Sequence, residues 1–160
     1  MIIMIDYKDL IDESPFILNH LITLKKTHDY FINYYIENET EISPSQYYML
    51  MFLFYNGNTN QSDIAKACLM NRSGVSRAFK EFEQKGLLTR VEDPENKRAY
   101  KITLTEKGKK TAKFLESKEL EWEEIVCNDS NIDKDDLMEK LQKLSYSSLN
   151  LNREKLVGKK

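Results

Sequence analysis

Residues 60–104 read NQSDIAKACLMNRSGVSRAFKEFEQKGLLTRVEDPENKRAYKITL, and this stretch decides the fold. Asn60 is a favourable N-cap for a short helix over Gln61–Cys68, and Asp63 is placed to reach back to it. Leu69-Met70 leaves room only for a sharp turn, after which Asn71 caps a run from Arg72 to Lys85. Gly86 stands where a helix is closed by a residue in the left-handed conformation. A pair of capped helices joined this tightly predicts a helix-turn-helix.

The second helix has unlike faces. Val75, Ala78, Phe79 and Phe82 recur at helical spacing and form an apolar stripe for a core. Arg72, Ser73, Gly74, Ser76, Arg77 and Lys80 make the opposite side small, polar and cationic. A helix lying in a DNA major groove needs such a surface, with small residues for close approach, Arg for guanine edges and Lys for phosphate. An ordinary amphipathic helix would show the same two faces with its charges merely solvated, so the flanking sequence has to decide.

Beyond Gly86 the period changes from helix to strand. Leu87–Val91 and Ala99–Leu104 are short and rich in β-branched or aromatic residues, and residues 92–98 between them are turn-forming. The resulting hairpin carries Lys97 and Arg98 at its tip, within reach of a backbone or minor groove beside the helix. Helix, turn, helix and hairpin together predict a winged helix-turn-helix.

Asn60-Gln61-Ser62-Asp63-Ile64-Ala65, Ser73-Gly74-Val75-Ser76-Arg77, Lys85-Gly86-Leu87-Leu88, Asp93–Arg98 and Leu104-Thr105-Glu106-Lys107-Gly108 stand in the order and spacing of the MarR family. The chain resembles these multiple-antibiotic-resistance type regulators most strongly over residues 43–108. The resemblance implies a homodimeric regulator, usually a repressor, that leaves DNA when the spacing of its two reading heads changes. It also implies small phenolic or aromatic effectors held between the first helices and the DNA-reading unit. His20, Tyr34 and Tyr47 are the candidate ligand-binding residues, although aromatics in such positions also serve as core and interface filler.

Working outward, Ser43-Pro44-Ser45-Gln46 starts a helix to about Tyr55 that is apolar almost all round and therefore buried. Upstream, Ser14-Pro15 opens a long helix with Ser as cap and Pro in the first turn. Ile17, Leu21, Leu24, His28, Phe31 and Tyr35 form a seam along it. Downstream, Thr105 caps a helix to about Cys127, residues 128–131 break it, and Asp133 caps a last helix. That helix repeats Leu137, Leu141, Leu144, Ser148 and Leu151. These stripes either pack on each other within a monomer or meet a second copy, and their length favours the homodimer. The expected architecture is mainly α, with a winged helix-turn-helix DNA-binding domain over residues 43–105. Residues 1–42 and 106–160 would form the helical dimerisation region.

The net charge of −2 over 160 residues hides an asymmetry. Residues 56–110 hold 12 Lys and Arg against 7 Asp and Glu, a local charge of +5, while the remainder holds 12 against 19, or −7. A basic module between acidic flanks fits contact with phosphates by one part of the chain only. The expected partner is double-stranded DNA with a pseudo-palindromic site, since a two-fold dimer places its reading helices about 34 Å apart. Arg72, Ser73, Gly74, Ser76 and Arg77 would approach base edges, while Gln61, Ser62, Lys80, Arg90, Lys97 and Arg98 would hold phosphates or act from the wing.

No stretch approaches a membrane span, and the opening residues lack a basic region and a cleavage site, so a cytoplasmic protein is expected. Cys68 and Cys127 have no paired spacing, and with His20 and His28 they make no four-ligand metal site. No cofactor is implied. Cys68 in an apolar position reads as core, and Cys127 leaves a thiol redox sensor as an alternative. No nucleophile elbow, phosphate loop or His–carboxylate cluster suggests an enzyme. The rival is a winged-helix protein-interaction module without DNA binding, against which Arg72, Arg77, Lys97 and Arg98 weigh.

Overall fold

The computed structural model describes residues 11–12, 14–57, 61–68, 70–92 and 100–151. Helix α1 spans Ile17–Glu39, a 3-10 turn spans Pro44–Gln46, and α2 follows as Tyr47–Asn56. Next come α3 (Gln61–Ala67), α4 (Arg72–Gln84), β1 (Leu88–Glu92) and β2 (Tyr100–Leu104). Helices α5 (Glu106–Ser130) and α6 (Lys134–Leu151) complete the described chain. The fold is mainly α with a small antiparallel hairpin, as expected.

The chain divides into compact units after Glu119. The first is larger than the expected 43–105 domain. Its core draws Ile32 and Ile36 from α1, Met49, Leu50 and Leu53 from α2, Phe79 and Phe82 from α4, and Ala112 and Leu115 from α5. The apolar stripe expected on α4 is buried throughout. In the second unit no residue of α6 is buried, and Leu144, Leu149 and Leu151 are exposed.

Helix ends follow the local sequence. The Asn71 side chain accepts the Gly74 N–H at 2.7 Å and so caps α4. At the other end Gly86 has φ 68°, its N–H bonds to Glu83 O at 3.0 Å, and the Leu87 N–H bonds to Phe82 O at 2.8 Å. This is a Schellman closure, with Leu87 as its buried apolar residue. Gln46 reaches back to the Ser43 N–H at 3.0 Å, completing the expected capping box, although the chain makes a 3-10 turn before α2 begins.

Some boundaries differ from those the sequence predicts. Helix α1 begins at Ile17, not at Pro15, because the Ser14 hydroxyl bonds the Asn19 side-chain amide at 2.8 Å and receives the Phe16 N–H at 3.4 Å. Helix α5 continues through Ser130, where Asn131 takes φ 54°. The Asn131 N–H then bonds to Asn128 O at 3.1 Å and the Ile132 N–H to Cys127 O at 3.0 Å, a second Schellman closure. Asp133 caps α6 through the Asp136 N–H at 2.8 Å, as expected. The Asn60 cap lies outside the described residues.

The joint between α4 and α5 is tight. The Thr105 hydroxyl donates to Gly86 O at 2.6 Å and accepts the Gly108 N–H at 3.1 Å, while the Thr105 N–H bonds to Leu87 O at 3.0 Å. A Cβ on Gly108 would lie 2.0 Å from Leu87 O, so only glycine allows this approach. Lys107 adds an ion pair to Glu41 at 2.7 Å and a hydrogen bond to Lys85 O at 2.9 Å.

Candidate nucleic-acid interface

Helix α4 turns its apolar stripe inward and leaves Arg72, Ser73, Arg77 and Lys80 exposed, with Gly74 and Ser76 half-buried between them. Arg72 and Lys80 are about 12 Å apart along the axis, the length over which a helix meets a groove. Among the described residues none of Arg72, Arg77 and Lys80 is in an ion pair. The Ser73 hydroxyl donates to the Asn71 side chain at 2.8 Å, which fixes it at the N-terminal edge of the face.

Helix α3 braces that edge. Gln61 donates from its side-chain amide to Arg72 O at 3.2 Å, and Ser62 is half-buried beside it. Behind the face, the buried Gln46 hydrogen-bonds Glu81, so the start of α2 is tied to α4. The exposed face is thus a surface on a braced support.

The wing has an inner and an outer side. Its register pairs Leu88 with Leu104 and Arg90 with Ile102, and Thr89 with Thr103 and Val91 with Lys101. Leu88, Ile102 and Leu104 are buried, so Arg90 shares the inner side, whereas Thr89, Val91, Lys101 and Thr103 are exposed. Arg90 makes a forked ion pair with Glu83 of α4, Nε to Oε1 at 2.8 Å and Nη2 to Oε2 at 2.5 Å. Arg90 is therefore engaged within the protein rather than presented outward. Lys101 is the outward cation on the described strands, and sequence reasoning missed it although strand alternation marks its side. Lys97 and Arg98 lie outside the described residues.

The expected ligand residues do not meet. His20 and Tyr34 are exposed and, on one helix, about 21 Å apart along its axis, too far to share one small ligand within the chain. His20 instead lies 3.2 Å from Ser14 O. Tyr47 is buried and donates its hydroxyl to Glu119 of α5. The histidine beside it is His28, whose Nε2 lies 2.7 Å from Glu119 Oε2 and whose Nδ1 lies 3.6 Å from Asp29. Hydrogen bonding to Glu119 raises the His28 pKa above its ordinary value, and burial opposes the rise.

An apolar cavity of about 570 Å³ lies elsewhere, between Lys25 of α1, Tyr48, Met51, Phe52, Tyr55 and Asn56 of α2, and Ala67 and Cys68. The Lys25 ammonium sits 5.3 Å from the Tyr48 ring centre and 2.7 Å from Asp29 Oδ1. Burial raises the Cys68 thiol pKa, which keeps it protonated and poorly nucleophilic. Among the described residues no group of three or more His, Cys, Asp and Glu could hold a metal ion, and no helix is long and apolar enough to cross a membrane.

A braced two-faced helix beside a hairpin defines a winged helix-turn-helix protein. The chain matches a MarR family model over residues 40–99. It is 30% identical over 77 residues to an uncharacterized HTH-type transcriptional regulator, YybA, of Bacillus subtilis (strain 168), covering 48% of this chain and 51% of that protein. The chain thus spans about half the length of the curated relatives it matches. Among solved structures it is similar to a MarR transcriptional regulator from Methanosarcina mazei Go1, with a TM-score of 0.72 and 25% identity over 86% of this chain and 99% of that one. It also shares the fold of S. aureus MepR in DNA-binding conformation, with a TM-score of 0.71 and 23% identity over 85% of this chain and 99% of that one.

Proposed function

We propose that the chain is a cytoplasmic, sequence-specific, double-stranded DNA-binding regulator, acting as a homodimeric repressor on a pseudo-palindromic operator. The observation that carries this reading is the exposed trio Arg72, Arg77 and Lys80, none in an ion pair among the described residues, on a helix whose other side is core. Desolvating such cations against phosphates and guanine edges releases counterions and reads sequence together. Arg72, Ser73, Gly74, Ser76 and Arg77 face the bases in this reading. Lys80, Gln61, Ser62 and the wing tip at Lys97 and Arg98 hold the backbone, and Lys101 joins them. That S. aureus MepR, of the same fold, has a DNA-binding conformation accords with this reading.

Dimerisation is assigned to residues 1–42 and 106–160, where apolar side chains stand uncovered. Phe16, Ile17, Leu18, Leu21, Ile22 and Leu24 of the α1 region are exposed, as are Leu144, Leu149 and Leu151 of α6. A second copy would cover them. The effector seat is assigned to the cavity at Tyr48 and Phe52, where an aromatic ring would stack and Lys25 would meet a carboxylate or phenolate. Selection of bound duplexes from a random-sequence pool of about 30 bp tests the reading. Enrichment of an inverted repeat with half-sites about one helical turn apart is expected, and failure to enrich any sequence would reject it.

A further inference from the structure

The wing's Arg90 and the recognition helix's Glu83 form a pair whose chemistry differs from that of the other cations on this face. Glu83 follows Lys80 by three positions and Ser76 by seven, so it lies on the edge of the α4 face assigned to DNA. A lone carboxylate there would repel phosphate. Instead both of its oxygens are held by the Arg90 guanidinium, with side chains 26% and 31% exposed for Arg90 and Glu83. Strand alternation fixes the direction, because Arg90 shares the inner side of the wing with buried Leu88 and Ile102. Its guanidinium fork is engaged by Glu83 of α4.

We infer that Glu83 and Arg90 form a clamp that sets the wing's angle against the recognition helix, making both positioning residues for DNA binding rather than DNA ligands. The inference rests on the DNA-binding reading above. A planar fork meeting a carboxylate through two bonds constrains orientation as well as distance, which an ammonium cannot do. Swinging of β1 relative to α4 would carry Lys101, paired with Val91 across the hairpin, away from the phosphates that the helix's footprint sets.

The test uses the full chain and the duplex that the wild type enriches from a random pool, with affinity measured over a series of salt concentrations. The clamp makes a counterintuitive demand on Glu83→Gln, which removes a negative charge beside DNA and yet should weaken binding about threefold to fivefold, the worth of a partly exposed ion pair. Arg90→Gln should weaken it at least as much, because it also leaves the Glu83 carboxylate unpaired beside phosphate; the double variant should be no weaker than Arg90→Gln, and Arg90→Lys should fail to rescue because it lacks the fork. The slope of log affinity against log salt should stay at the wild-type value in all four. Tighter or unchanged binding by Glu83→Gln overturns the clamp. So does rescue by Arg90→Lys, or a slope that Arg90→Gln flattens by about 0.9, the signature of one lost phosphate contact. A wild-type chain that enriches no duplex overturns the DNA-binding reading and the clamp's role with it.

Discussion

Gly108→Ala should destabilise the protein, although alanine is the better helix former. The added methyl would sit 2.0 Å from Leu87 O, 3.0 Å from Leu87 C and 3.2 Å from Leu104 Cδ2. Relief requires about 1.2 Å of movement by backbone that is itself held, since Leu87 O accepts the Thr105 N–H at 3.0 Å. Overpacking of this kind costs about 1–3 kcal/mol, and loosening that hydrogen bond adds about 0.5–1.5 kcal/mol. Helix propensity returns at most about 1 kcal/mol in the first turn of α5. The balance is about 2 kcal/mol of destabilisation, or a midpoint lower by roughly 4–8 °C for a chain of this size. Thermal unfolding followed by circular dichroism at matched protein concentration measures it. An unchanged or raised midpoint would show that the α4–α5 joint is slack and that Gly108 is ordinary.

His28 gives a pH dependence whose sign is fixed by Glu119. Its folded pKa is raised, so the stability it contributes is fully present below about pH 6.5 and is lost as pH rises through the folded pKa. The midpoint difference between wild type and His28→Gln should accordingly be larger at about pH 5.5 than at about pH 9, and a difference independent of pH would dismiss the ion pair. Arg77→Ala should cost about 1–3 kcal/mol in operator affinity, the worth of a base contact, and equal affinity in a fluorescence titration would remove Arg77 from the reading face. If the chain is the proposed homodimer, Leu141→Asp combined with Leu144→Asp should convert it to monomer or aggregate, whereas a dimer mass retained in light scattering would defeat the assignment of α6 to the interface.

The helix-turn-helix and wing are legible in the sequence because their signals are local. Asn71, Gly86 and Thr105 act on backbone groups within a few residues, so capping rules read them directly. The α4 stripe follows from periodicity alone. The seam on α1 runs through Phe31 and Tyr35 in the sequence, yet the core of the chain takes Ile32 and Ile36 and leaves Ile17, Leu21 and Leu24 exposed. A stripe in four-three steps marks an apolar surface without saying which part a single chain covers. The charge of Arg90 suggests phosphate, although its parity with Leu88 already puts it on the inner side of the strand. Nothing local distinguishes His20 from His28, so the sequence does not reveal which one meets Tyr47. The His28–Glu119 contact spans 91 positions and Tyr47–Glu119 spans 72, and such pairings appear only once the helices pack.

The most direct test of the DNA-binding reading is a titration of the purified chain against its enriched duplex and a shuffled duplex at a low and a high salt concentration. Tight binding to the enriched duplex, weaker binding to the shuffled one, and a steep loss of affinity with salt are expected from Arg72, Arg77 and Lys80 on phosphates and bases. Equal affinity for both duplexes, or binding that salt leaves unchanged, would contradict the assignment of α4 as a sequence-reading helix.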